Sequence, residues 1–96
     1  MTEEEKNYPK TIAEAVERLR STLPEKDKEE IKKTSKDGLI DLHFSLGGYI
    51  RNAFGLWGKE NEKLIEACGQ SYPIFVPDSV SGVIIDALWK KLRSEL

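Results

Sequence analysis

The residues best equipped for chemistry are His43, Arg51 and Asn52, which fall in the run Leu42-His43-Phe44-Ser45-Leu46-Gly47-Gly48-Tyr49-Ile50-Arg51-Asn52. His43 and Arg51 are two helical turns apart, roughly 12 Å along an axis. On one face they line a groove and hold an anion or a partner's carboxylate, Arg51 through its two-pronged guanidinium. The same residue types also serve a fold. His43 then bonds a core carbonyl, Arg51 pairs with an acidic side chain or with the carbonyls ending a nearby helix, and Asn52 stitches the following turn. Buried polar groups are nearly always satisfied by such local bonds, which gives the structural alternative the greater weight.

Other chemistry finds little material. Nucleophilic catalysis needs a Ser or Cys beside a base that a third group orients. The single cysteine, Cys68, falls near a helix C-terminus, where the dipole disfavours a thiolate, so a Cys68–His43 dyad has weak support. One His, one Cys and scattered carboxylates do not make a zinc cluster. Ser35-Lys36-Asp37-Gly38 falls short of a calcium loop. Gly47-Gly48 lies in a helical pattern, not after a strand, so it is no phosphate loop. The expectation is a chain with no catalytic residue, no metal and no cofactor.

Composition narrows the class. The chain has 96 residues, enough for one domain with one core. Fifteen basic and seventeen acidic residues give a net charge of −2. The signs are interleaved, as in Glu25-Lys26-Asp27-Lys28-Glu29-Glu30-Ile31-Lys32-Lys33, without the basic stripe that phosphate neutralisation demands. Nucleic-acid binding would need the fold to gather Lys26, Lys28, Lys32 and Lys33. A lone cysteine cannot form an internal disulfide, and a small secreted domain usually needs bridges. A reducing cytoplasm is therefore expected. The acidic start, Met1-Thr2-Glu3-Glu4-Glu5-Lys6, is no signal peptide. No apolar run approaches the ~20 residues that span a bilayer, so no membrane partner is expected.

These residues need helices to position them. Residues 1–8 read as an acidic tail, and 9–96 as one helical domain. Thr11-Ile12-Ala13-Glu14 fits a capping box, with the Glu14 carboxylate reaching back to the Thr11 N–H. The first helix then runs from about Ile12 to Ser21. Pro24 opens a short second helix anchored by Ile31. Ser35 caps a third from about Lys36 to Phe54, apolar nearly all round, which predicts a central, buried helix. Gly47-Gly48 within it implies close approach of another helix, or a kink. Gly55 and Gly58 bracket a turn at Leu56-Trp57. Asn61 caps a fourth helix, about Glu62 to Cys68, which Gly69 stops. Tyr72-Pro73-Ile74-Phe75-Val76-Pro77 reads as a loop laid over the core. Asp78 caps a fifth helix ending near Arg93. The fold class is all-α: a compact irregular or orthogonal bundle of about five helices around the helix at 36–54.

The fifth helix has two apolar faces. Val80, Val83, Ile84, Ala87 and Leu88 form one; Ile85, Trp89, Leu92 and Leu96 form the other. The second face packs on the first helix or the N-terminal segment, or else it is an interaction patch for a partner protein or a second copy, anchored by Trp89. Trp57 and Tyr49 extend that patch if they are not core.

The run from Leu42 to Trp57 resembles the signature Leu-His-Phe-x-Leu-Gly-x-x-Ile-Arg-Asn-x-Phe-Gly-Leu-Trp of a family of small uncharacterised bacterial helical domains. Asp78, the small residues Ser79 to Ser81, and Ile85-Asp86-Ala87-Leu88-Trp89-Lys90 are similar to that family's C-terminal helix. The likeness covers about residues 9–93. It implies a helical bacterial cytoplasmic protein and transfers no catalytic residue. The function expected is a non-enzymatic protein-interaction module, of which an immunity or antitoxin-like protein is one version. The alternatives are a ligand-binding or catalytic pocket at His43 and Arg51, and a weak nucleic-acid binder.

Overall fold

The computed structural model describes residues 8–57, 59–70 and 75–94. Among them are six α-helices: α1 (Ile12–Thr22), α2 (Glu25–Lys33), α3 (Leu39–Ser45), α4 (Gly47–Ala53), α5 (Glu62–Ala67) and α6 (Pro77–Arg93). Short 3₁₀ turns at Lys36–Gly38 and Lys59–Asn61 precede α3 and α5, and no strand occurs among the described residues. The all-α class holds.

Local sequence accounts for most helix ends. The Thr11 hydroxyl accepts from the Glu14 N–H at 3.0 Å, and the Glu14 carboxylate accepts from the N–H of Lys10 at 2.8 Å, not from Thr11 as expected. Ser35 caps the turn before α3 by accepting from Gly38. Asn61 caps α5 by accepting from Leu64. Gly55 and Gly69 adopt left-handed φ values of 67° and 87°. Each is followed by an N–H that reaches back five residues, Leu56 to Arg51 O and Gln70 to Ile65 O, the Schellman closure that favours glycine.

Asp78 is not the cap of α6. Val76 occupies that position without a side-chain bond, and Pro77 is the first helical residue, where its missing N–H leaves nothing unsatisfied. Asp78 sits in the first turn, where a carboxylate favours the helix dipole.

The single helix expected over 36–54 is three pieces. The path breaks at Leu46, between α3 and α4, next to the glycine pair. Nor is this stretch the centre of the molecule. That place belongs to α6, on which α1, α2, α3 and α4 all pack. Val80, Ile84, Ile85 and Leu88 of α6 are buried with Leu19 of α1, Ile50 of α4 and Leu64 of α5. From α3 only Leu39 is buried; Ile40 is 59% and Phe44 81% exposed.

Four expectations fall on residues outside those described: the tail up to Asn7, Gly58, the loop residues Tyr72, Pro73 and Ile74, and Leu96. Phe75, from the same loop, does pack on the core. Tyr8 does not belong to a tail. Its ring lies over Gly55, so closely that a Cβ there would meet it at 2.7 Å.

Candidate functional site

Arg51 leaves α4 with its guanidinium folded back along the helix over Gly47, where a Cβ would stand 2.9 Å from Nη1. The glycine makes room for the cation. Nη1 then reaches the Asp78 carboxylate at 3.0 Å and the Ser81 hydroxyl at 3.2 Å, both on α6. The Arg51 side chain is 16% exposed, whereas that of Asp78 is 79% exposed. The Nε–H is buried and has no partner among the described residues. The pairing with an acidic side chain is the structural alternative foreseen for Arg51.

On its outer side the guanidinium meets the Trp57 ring, 5.5 Å from the centroid, within cation–π range. The Trp57 indole donates to Asn52 Oδ1 at 2.6 Å, so Asn52 stitches the turn as expected. Trp57 is thus held by two contacts, yet it remains 58% exposed.

His43 departs from expectation. It is exposed and bonds no core carbonyl among the described residues. Its ring lies on the bare backbone of α6 at Gly82, where a Cβ would come 3.4 Å from Cε1. The structure does bring His43 and Arg51 into one hollow of about 260 Å³, shared with Ile40, Phe44 and Asp78. Arg51's charge is already met there by Asp78.

Of the two readings of the second face of α6, packing on the first helix holds and the interaction patch does not. Ile85 and Leu92 are 1% and 2% exposed, because α1 and α2 pack over that side of α6. Trp89 is half-buried, and its indole donates to Thr34 O at 2.8 Å. Leu96 lies outside the described residues. The apolar surface is instead Ile40, Phe44 and Trp57, with Tyr49 49% exposed on α4. The sequence signal for it was present: residues flanking the inward stripe of the stretch at 36–54, taken there as evidence of burial all round.

Of the α2 lysines, Lys28 and Lys32 share a hollow with Arg20, Glu17 and Glu25, and each is paired. Lys28 pairs with Glu25 at 2.8 Å and Lys32 with Glu29 at 3.2 Å. The hydrogen bond and charge of Lys28 hold the Glu25 carboxyl below its ordinary range. Cys68 is half-buried, and desolvation pushes its thiol up to about 11, so at neutral pH it is a protonated thiol and a poor nucleophile. Among the described residues no three of His, Cys, Asp and Glu converge as metal ligands, and no helix is long and apolar enough to cross a membrane.

The fold and site define a small all-α domain in which Arg51 ties α4 to α6 and carries an exposed aromatic. The chain belongs to the family described as a domain of unknown function (DUF6794), whose model matches residues 8–92. No match was found among curated proteins or among solved structures.

Proposed function

We propose that this chain is a non-catalytic protein-interaction module of the bacterial cytoplasm, docking a partner protein through the outer face of α3 and the Trp57 turn. One observation carries the proposal: Ile40, Phe44 and Trp57 are each more than half exposed and gather about the Arg51–Asp78 pair. Scattered apolar side chains on a surface are ordinary, whereas apolar side chains grouped about a polar centre mark interaction sites. Trp57 is already fixed by Asn52 and Arg51, so little side-chain freedom is lost when a partner covers it. Tryptophan and arginine are also the side chains that most often dominate binding energy. The single cysteine, with its protonated thiol, suits a reducing compartment.

The test is site-specific photo-crosslinking in cells, with a photoreactive side chain at Phe44 and, separately, at the exposed Glu66 of α5. A discrete adduct from position 44 that is absent from position 66 supports the proposal. An adduct of twice the chain mass identifies the partner as a second copy. The same pattern from both positions, or no adduct from position 44, contradicts it.

A further inference from the structure

The helix α2 turns different charged side chains into the hollows on its two sides, Lys28 and Lys32 into one and Asp27 and Glu30 into the other, with Lys26 and Lys33 exposed beyond Glu30. At 100° per residue, Lys28 and Lys32 turn toward α1, where Lys28 Nζ also donates to Arg20 O at 2.9 Å. Asp27 and Glu30 turn the other way, toward α3. Between α2 and α3 runs an open hollow of about 290 Å³. Its floor is aliphatic: Leu23, Ile31, Leu42 and Leu46. Asp27 and Glu30 stand on its α2 wall and Ser45 on its α3 wall. Asp41, exposed one turn before Ser45, adds a third carboxylate on that side. None of the three carboxylates is in an ion pair among the described residues. The charged side chains that line the hollow are therefore both carboxylates, above a floor that water solvates poorly.

We infer that the α2–α3 groove receives a cationic amphipathic segment of the partner protein, with aliphatic side chains on the Leu23–Ile31–Leu42–Leu46 floor and Lys or Arg against Asp27 and Glu30. The inference rests on the protein-interaction proposal and names the chemistry of the partner. Charge complementarity selects this occupant. An acidic or neutral segment leaves both rim carboxylates without a counter-charge, and like charges brought together at an interface are strongly disfavoured. Asp27 and Glu30 are three residues apart on α2 and so lie on one face, matching cations one turn apart on an incoming helix. The groove borders α3 on the side away from His43, so one partner can cover the Phe44 ridge and the groove together.

The experiment uses the full chain, isotope-labelled for NMR, and a peptide of about 15 residues that alternates Leu and Lys in amphipathic order. A Leu/Glu peptide of the same pattern is the control. The Leu/Lys peptide is expected to shift the amides of Leu23, Asp27, Ile31, Leu42 and Leu46 saturably, and the Leu/Glu peptide is not. Two double variants separate this site from general attraction to an acidic protein. Asp27→Lys with Glu30→Lys weakens binding by about tenfold or more, whereas Glu60→Lys with Glu66→Lys, equal in charge but distant, weakens it by less than about threefold. Circular dichroism checks that both variants fold. Equal losses in the two variants, shifts centred elsewhere, or equal binding of the Leu/Glu peptide overturns the inference. A crosslink at position 44 together with any of those results leaves the interaction module standing and removes only its cationic partner.

Discussion

The Arg51 guanidinium lies 3.0 Å from the Asp78 carboxylate, and that pair ties α4 to the first turn of α6. The two partners are unequal: the arginine is enclosed by Gly47, Ser81 and Trp57, while the aspartate stands largely in water. Replacing Asp78 with Ala should therefore cost less than about 1 kcal/mol, as exposed ion pairs do. Replacing Arg51 with Ala also removes the packed stem and the Trp57 stack, and should cost about 1–3 kcal/mol. Urea unfolding of both single variants and the double variant gives the coupling, expected at about 0.5–1 kcal/mol. Equal costs for the two single variants would mean that Arg51 acts through the ion pair alone.

Asn61 is the most heavily used polar side chain of the core. It is 1% exposed, and its Nδ2 donates to Pro9 O and Phe54 O, both at 2.9 Å, while Oδ1 accepts from Leu64 N–H. It joins the N-terminal segment, the end of α4 and the start of α5. Asn61→Ala removes a cap and strips two buried carbonyls, an expected loss of about 2–4 kcal/mol. Asn61→Asp keeps the cap but sets a carboxylate against two carbonyls, and should be at least as damaging. Thermal unfolding of the two variants checks the order.

The glycines separate by geometry. A Cβ at Gly48 meets only Arg51 Nη2 at 3.8 Å, an ordinary contact, so Gly48→Ala should stabilise the protein by about 0.5–1 kcal/mol. Gly55→Ala faces both a left-handed φ and the Tyr8 ring at 2.7 Å, and should destabilise by about 1–3 kcal/mol. Adding Tyr8→Ala removes the clash but not the backbone strain. Unfolding of Gly55→Ala made in the Tyr8→Ala background should therefore show a smaller but non-zero loss.

Cys68 should react slowly. With its thiol pushed up to about 11 by burial, labelling by iodoacetamide at pH 8 should run about 10–100-fold below a free cysteine. A raised folded-state value also means that stability is fully present below the ordinary thiol range and declines as pH rises from that range toward 11. Labelling as fast as that of a free thiol at pH 8 would contradict the burial of this side chain.

Much of the fold was legible where short-range chemistry sets it. Thr11, Ser35, Asn61, Gly55 and Gly69 mark helix ends because caps and left-handed turns depend on a few neighbouring residues. The roles of α6 and the 36–54 stretch were exchanged. Ile85 and Leu92 left a choice between packing on the first helix and a partner patch because periodicity shows that a helix has two apolar sides, not which neighbours cover them; α1 and α2 do. Ile40 and Phe44 suggested burial because an apolar residue left on the surface looks, in one sequence, like an apolar residue of the core. The break at Leu46 was legible only as a choice between a kink and a close neighbour at Gly47-Gly48. The helix is interrupted there, and the nearest neighbour of Gly47 is not another helix but the Arg51 side chain of its own, with Ser81 of α6 next at 3.5 Å. Arg51–Asp78 joins residues 27 positions apart across two helices, and no spacing rule reaches that far.

The central claim is that the outer face of α3 is surface, not part of the core, and the unfolding free energy of Phe44→Ser tests it most directly. Phenylalanine and serine have similar helix propensities, so a side chain that is 81% exposed should be replaceable at a change within about 0.5 kcal/mol. A loss of about 3 kcal/mol or more, the size expected when a packed phenylalanine is removed, would place Phe44 in the core and contradict the account.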